Sequence, residues 1–460
     1  MPTNSDSILI EDGIIVTMDS RLRVIQGGSV LVEDGRIVEV GESGSIRRRH
    51  KTDLRISARG MVVIPGLIDT HVHLAQGLLR GCADDLSLID WLRKRVWPLQ
   101  GNFTEADGKV SAELSMLEML KSGTTSFVGV DVVSRYGFDG IARSVARAGM
   151  RGALAKTVMD SPGYGTKRSI MPPGLVEEKD ACIREAKSMI QKWNGIRDGL
   201  VKVWVAPRSL GGCSKELYIQ VAGLARDYDT SVTMHLAEVR EDVVYAKENF
   251  GMTPFEFIDS VGLAGPRSLF AHMVWLDDSD IRLVARTKSN VAHCPSSNLK
   301  LASGIPKVSE MIETGVNVGL GCDGAPCNNS YDMIREMKLA AIIQKVRLLD
   351  PRIMPATKVL EMATMNGARA IGMQKEVGSI EVGKRADLVI IDLQKPHLVP
   401  YRDIVSNIVY SAMGSDVDTV LIDGRVVLSE GKALTLDEEK IMKEAERHQE
   451  GLIARSGIKV

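Results

Sequence analysis

The stretch MVVIPGLIDTHVHLAQ, residues 61–76, begins as an apolar run and ends in an acid followed by two histidines one residue apart. The run reads as a buried strand. In an extended chain, side chains two apart share a face, so His71 and His73 converge on one point while Val72 faces away. That spacing suits metal chelation. One His-x-His is a weak signal by itself, more often a pair of core histidines than a pair of ligands.

The stretch is the first of eight strand-like runs. VVIPGLIDTH (62–71) is followed by TTSFVGV (124–130), RGALAKTVM (151–159), LVKVWVAP (200–207), SVTMHLAE (231–238), SLFAHM (268–273), SNVAHC (289–294) and VNVGLGCD (316–323). Helical-period stretches such as 107–123 and 214–229 fall among them, and eight strands interleaved with helices is the count of an α/β fold, the (β/α)8 barrel.

Outside this span the pattern changes. VLVEDGRIVEV (30–40) sets Asp34-Gly35 between two β-branched runs, a hairpin signal, and TVLIDGRVVLSEG (419–431) repeats it with Asp423-Gly424. ADLVIIDL (386–393) supplies another strand. The two chain ends are therefore expected to pair into one small β domain, residues 1–65 with 376–432, flanking a catalytic barrel at 66–375. Residues 433–460 read as a charged amphipathic helix on the outside.

The chain has 460 residues, 44% hydrophobic and 25% charged, the profile of a globular protein with a sizeable core. A net charge of -1 lacks the excess that nucleic-acid or anionic-membrane binding requires, which leaves a small-molecule partner. The basic run Arg47 to Lys51 reads as a solvated loop. Six cysteines, at 82, 182, 213, 294, 322 and 327, show no framework spacing and read as reduced thiols. With no signal-peptide pattern at the N-terminus and no apolar run long enough to span a membrane, a cytoplasmic enzyme is expected.

Barrel strands end at the active site, so polar residues closing apolar runs are the functional candidates. Five of the eight histidines obey this rule: His71, His73, His235, His272 and His293. His50, His397 and His448 lie in polar, surface-like surroundings. Glu238 follows His235 by three residues, and Asp323 ends the last run. Taken one at a time, these are a core histidine, a solvated glutamate and a turn. Together, His71, His73, His235 and Asp323 supply three imidazoles and a carboxylate from three strand ends, a donor set for Zn²⁺ or Fe²⁺ with an open position. Such a metal lowers the pKa of bound water from about 16 to about 7, and Glu238 and His272 stand where protons would be handled.

The motifs IPGLIDTHVH, HLAE, FAHM, AHCPSSNLKLASG, GCDGAPCNN and EVGSIEVGKRADLVIIDL span nearly the whole chain, which with them resembles the mononuclear deaminase branch of the amidohydrolase superfamily. The resemblance implies a distorted (β/α)8 barrel with a β-sandwich built from both chain ends, and a homo-oligomer, dimer or tetramer. It implies His71, His73, His235 and Asp323 as ligands of one divalent metal, Zn before Fe. Glu238 becomes the proton shuttle, His272 the partner that polarises water or leaving group, and Asp323 a proton acceptor as well. The binuclear branch carries a lysine at the end of its fourth strand, whereas Lys202 lies near the start of its run. The phosphate-loop look-alike GSIEVGKR (378–385) has Arg385 where Ser or Thr must hold Mg²⁺, and reads as a turn.

Within that branch, LLRGCADDLSLIDWLRKRVWPLQ (78–100) resembles both adenosine-type deaminases and s-triazine hydrolases, and implies Trp91 and Gln100 as substrate contacts. Where the nucleoside enzymes carry a ribose-gripping Glu, this chain has Gln100. Where they read Gly-Pro-His-Ser, it has Arg208 in APRS. Guanine deaminases share that Arg, and a Gln three residues after the His-x-His, here Gln76. Arg208 and Gln76 are thus expected to read an oxo-heterocycle, with Arg208 as a structural ion pair the competing assignment. Lys156 and Arg168 stand at the spacing of an arginine pair that clamps a carboxylate tail. The expected activity is hydrolytic deamination of an aminated N-heterocycle (purine, nucleoside, pterin or pyrimidine), in which a hydroxide generated at the metal attacks the ring carbon and ammonia leaves. The alternatives are s-triazine dechlorination or dealkylamination and, more remotely, a non-catalytic barrel scaffold.

Overall fold

In the computed structural model, which describes residues 7–459, the chain builds two sheets. The first is mixed and takes strands from both chain ends: β1 (Ser7–Val16), β2 (Val24–Glu33), β3 (Arg36–Glu42), β4 (Leu54–Ser57) and β5 (Met61–Pro65) from the N-terminal part. The second is parallel, with sequential order β6 (Leu67–Val72), β7 (Thr124–Val132), β8 (Arg151–Val158), β9 (Val201–Pro207), β10 (Val232–Leu236), β11 (Ser268–His272), β12 (Asn290–His293) and β13 (Asn317–Leu320). Then β14 (Leu388–Asp392), β15 (Val417–Ile422), β16 (Arg425–Ser429) and β17 (Lys432–Ala433) return to the first sheet, where β14 pairs with β5. The first six residues of the N-terminus read for a targeting signal lie outside the described residues. No helix among the described residues is long and apolar enough to cross a membrane.

The eight barrel runs read from the sequence correspond to β6–β13, and the helical stretches to Glu105–Lys121 and Lys215–Asp227. Both hairpins form with two-residue turns at positive φ, Asp34-Gly35 and Asp423-Gly424. The turns pack on each other, Gly35 so close to the Asp423 carbonyl that a Cβ there would lie 2.7 Å from its oxygen. Ile10, Val30, Val63, Leu388, Ile390 and Leu421 belong to one buried cluster of this sheet, which explains why distant runs with the same alternation meet.

The first run differs from the expectation of a single strand. It breaks at Pro65 and Gly66 into β5 of the mixed sheet and β6 of the barrel. Proline has no N–H to continue the ladder, the Gly66 N–H donates to the Asp387 carbonyl at 2.8 Å, and a Cβ on Gly66 would overlap the Thr125 side chain. The two bodies are also joined by Arg151 at the start of β8, fully buried, which pairs with Asp387 at 3.1 Å and Asp423 at 2.7 Å.

The barrel closes between β6 and β13. Thr70 Oγ1 donates to the Leu320 carbonyl at 2.8 Å, Asp323 N to the His71 carbonyl at 2.8 Å, and His73 N to the Asp323 carbonyl at 3.2 Å. Gly321 makes room for this approach, since a Cβ there would stand 2.9 Å from the Cβ of His71. The C-terminal helix Glu438–Ser456 packs on Glu105–Lys121 through His448 and Asp107, 2.6 Å apart. Its Gln449 donates to the Leu78 carbonyl at 2.7 Å, bracing the short 3-10 segment Leu74–Leu79 that leaves His73.

Crowding at the joint has a measurable consequence. Gly66→Ala should cost about 1–3 kcal/mol of stability by overpacking, read as a lower urea midpoint, and Thr125→Gly in the same chain should recover part of the loss.

Candidate metal and substrate site

Each expected site residue on the barrel strands sits at a C-terminal end. His71 lies in β6 and His73 just beyond it, His235 in β10, His272 at the end of β11 and Asp323 just after β13. Ligand atoms of His71, His235, His272 and Asp323 all lie within 4.8 Å of one another. His73 completes the group: its Nε2 is 2.9 Å from Asp323 Oδ1 and 3.0 Å from His235 Nε2. His293 ends β12 but stays outside this cluster, buried, with neither ring nitrogen hydrogen-bonded to any described residue.

The backbone is held in an uncommon conformation at these ends. His272 has φ 72°, Asp323 φ 65° and Asp131, at the end of β7, φ 62°. Left-handed non-glycine residues are infrequent and gather where function over-determines the fold.

A divalent cation suits what is present. His71 is fully buried with both ring nitrogens lacking a hydrogen-bond partner among the described residues, as does His272 Nε2. Orphaned buried imidazoles are costly unless something else takes their lone pairs. The protonation pattern is uneven. Burial pushes His71 down to about 4 and carries His235 well below the usual imidazole range, with Arg208 adding to the latter shift. Burial also opposes a charge on His73, but Asp131 and Asp323 outweigh it and raise the group to about 9. Burial opposes a charge on Asp323, but the imidazoles of His71 and His73, 3.5 and 2.9 Å from its Oδ1, outweigh it and hold the group well below the carboxylate range.

Glu238 stands at the edge of the cluster, 3.7 Å from His272 Nε2. The Tyr164 hydroxyl reaches one of its oxygens at 3.5 Å and the Ser303 hydroxyl the other at 3.4 Å. Burial raises its pKa, so it retains a proton more readily than a solvated carboxyl. Asp242 fixes its backbone by accepting from Glu238 N at 2.9 Å. Two side chains of the segment 295–300 brace the cluster from behind. Ser297 Oγ donates to Asp323 Oδ2 at 2.6 Å, and Asn298 Oδ1 sits 2.9 Å from His272 Nδ1. Since an amide oxygen only accepts, His272 carries its proton on Nδ1 and turns Nε2 to the cleft.

The narrow cleft above the cluster is lined by Gln76, Leu88, Trp91, Leu92, Tyr164, Arg208 and Leu301 beside the charged groups. Gln76 is fully buried, and neither its amide nitrogen nor its oxygen has a hydrogen-bond partner among the described residues. It occupies the space left because residue 324 is glycine. Trp91 Nε1 donates to the Pro326 carbonyl at 3.4 Å. Arg208 both lines the cleft and forms the ion pair weighed against it, Nε to Asp131 Oδ1 at 3.2 Å.

Three expected contacts do not reach the cleft. Gln100 lies behind it, donating to Asp131 Oδ2 at 3.4 Å. Lys156 is buried with its ammonium on Glu177 at 2.9 Å, and Arg168 is exposed on the loop beyond β8. Lys202 lies near the start of β9, close enough to Arg151 and Arg385 for their charges to lower its pKa further once burial has done so. Asp131, Tyr164, Ser297 and Asn298 were not singled out from the sequence. Asp131 had a signal as the lone charge closing an apolar run, and Ser297 and Asn298 lie inside the motif AHCPSSNLKLASG; Tyr164 had none.

The Amidohydrolase family model matches residues 62–427. The chain belongs to this family. It is 39% identical over 449 residues to a 5'-deoxyadenosine deaminase of Methanosarcina acetivorans, covering 98% of this chain and 99% of that protein. A 5-methylthioadenosine/S-adenosylhomocysteine deaminase of Moorella thermoacetica is 38% identical over 434 residues, 94% of this chain and 97% of that one. Among solved structures, an adenosine deaminase from Xanthomonas campestris with bound Zn superposes with a TM-score of 0.90 at 30% identity, covering 97% of this chain and 98% of that chain. The chain is a metal-dependent hydrolase of C–N bonds.

Chelator treatment should strip the cation and lower the thermal midpoint, because a cation bound only by the folded state stabilises it. Metal analysis should then find one divalent ion per reloaded chain, and His71→Ala should lose it.

Proposed function

We propose that this protein is a one-metal aminohydrolase that removes the exocyclic amine of an aminated purine ring, with zinc held by His71, His73, His235 and Asp323. The observation that carries the reading is Glu238: a buried carboxyl of raised pKa, at the rim of the histidine and aspartate cluster, 3.7 Å from His272 and lining the same cleft. A cation held there supplies an acidified water at neutral pH.

The chain's own groups do the rest. Glu238 delivers a proton to the ring nitrogen next to the amine-bearing carbon, which makes that carbon electrophilic, and burial makes it hold that proton more readily than a solvated carboxyl would. His272 and Asp323 relay the two protons released by water, one to the amine, which leaves as ammonia when its bond to the ring carbon breaks, and one back to Glu238; Asn298 and Ser297 hold the orientations of His272 and Asp323. Trp91, Leu88 and Leu301 exclude solvent from the ring face. Gln76 offers one donor and one acceptor in a plane, and Arg208 offers further donors, a match to a ring nitrogen beside a carbonyl. Gln100, which stands where the nucleoside enzymes carry a ribose-gripping Glu, is engaged with Asp131 and does not line the cleft.

Ammonia release from the zinc-loaded protein should be measured with 5'-deoxyadenosine, 5-methylthioadenosine, S-adenosylhomocysteine and guanine, and chloride release with atrazine. Ammonia from at least one purine is expected. Chloride alone would replace this reading with the triazine one. Glu238→Gln should keep its zinc and lose 10²-fold or more in kcat, on the order of a proton-transfer contribution; a near-normal rate would reassign the shuttle. Arg208→Ala should raise KM for guanine more than for 5'-deoxyadenosine, and equal effects would remove the carbonyl-reading role.

A further inference from the structure

Asp131 is a carboxylate with no role in the proposed reaction, yet it stands 3% exposed at the C-terminal end of β7, among the groups that matter most. Its Oδ2 lies 3.3 Å from His73 Nδ1 and accepts from Gln100 Nε2 at 3.4 Å, while its Oδ1 lies 3.2 Å from Arg208 Nε. The residue is fixed there in a left-handed conformation, φ 62°, that side chains other than Asn and Asp adopt with strain.

We propose that Asp131 is a positioning residue serving two sites at once: it orients His73 for the metal and holds Arg208 for the substrate ring. The inference rests on the ring-reading role given above to Arg208.

The two halves follow from simple donor accounting. A neutral imidazole has one N–H and one lone pair. Without a cation the two aspartates favour a protonated His73, whose Nε2 lies 2.9 Å from Asp323. With a cation bound, the Asp131 carboxylate, in ion-pair reach of Nδ1 at 3.3 Å though short of hydrogen-bond geometry, would favour the remaining proton on that nitrogen and leave the lone pair on Nε2. Such outer carboxylates fix the tautomer of a ligating histidine and raise its basicity. Arg208, 4% exposed, is a cation that burial would penalise without a counter-charge. Asp131 supplies that charge at Nε, on the stem side of the guanidinium. The terminal nitrogens are then left for the cleft and for His235, whose Nδ1 is 3.1 Å from the nearer one. Gln100 stops the carboxylate from rotating away.

The experiment compares wild type, Asp131→Asn, Arg208→Ala and the double variant. Asn keeps the backbone conformation but replaces one acceptor oxygen by an N–H. Zinc affinity is read by competition with a chromophoric chelator, and kcat and KM at excess zinc with the purine that is deaminated. Asp131→Asn should weaken zinc binding by about 10–100-fold and raise KM while kcat at saturating zinc changes less. In the Arg208→Ala background the zinc effect of Asp131→Asn should persist and its KM effect should vanish. Unchanged zinc affinity in Asp131→Asn overturns the proposal, as does a KM effect that is undiminished without Arg208. If Asp131→Asn does not fold, Asp131→Gly takes the same backbone and carries both measurements. Zinc competition needs no substrate: a protein that binds zinc yet deaminates none of the purines refutes the proposed function, and the zinc measurement still decides this one.

Discussion

Closure of the barrel between β6 and β13 is the constraint on which the site depends. The seam is made by the backbones of the residues whose side chains form the cluster: Asp323 donates to His71, and His73 donates to Asp323. Positions far apart in the chain are therefore brought together by the same hydrogen bonds that finish the sheet. Gly321 belongs to this logic, since a side chain there would hold the two strands apart. Fold and site are one structure at this edge, so ligand geometry is inherited from strand register and not from flexible loops.

Electrostatics adds a second layer. Three imidazoles, two carboxylates close by and a guanidinium are buried within one narrow cleft, where each would be unfavourable alone. They are tolerated because their charges and lone pairs are matched, and because the unmatched ones converge. His71 and His73, two residues apart, are driven in opposite directions, to about 4 and about 9, by the difference between an imidazole with few anionic neighbours and one placed between two aspartates. Environment, not residue type, sets these roles.

Much of this was legible in the sequence, and what was not has identifiable causes. Parallel strands buried on both faces leave long apolar runs, so all eight barrel strands could be read, along with the histidines and aspartate at their ends. The domain boundary was placed between residues 65 and 66, yet the run across it was still read as one strand, because an apolar run looks alike whether it stays in one sheet or passes into another. Partner choice was equally hidden. Lys156 resembled a free cation for a carboxylate tail, but Glu177 comes back from the following loop to neutralise it. Gln100 resembled a substrate contact, but Asp131 from the next strand takes its amide. Tyr164 sits in a Gly- and Pro-containing loop without periodicity, where no pattern marks a residue that reaches Glu238.

These pairings together change what the cleft can select for. A deaminase that grips an anionic tail needs an uncommitted cation near its mouth, and here the buried candidates are matched: Lys156 by Glu177, Arg208 by Asp131. With their charges matched, discrimination falls to directional donors and acceptors, chiefly the unpartnered amide of Gln76 and the outer nitrogens of Arg208. Hydrogen-bond readout of this kind rejects a ring lacking the complementary group strongly, because the protein's own buried polar atoms are then left unpaired. It distinguishes poorly between tails that never reach those atoms. On the proposed reading the pocket is strict about the edge of the heterocycle and permissive about what is attached to it, the selectivity expected of an enzyme acting on a ring that occurs on several carriers.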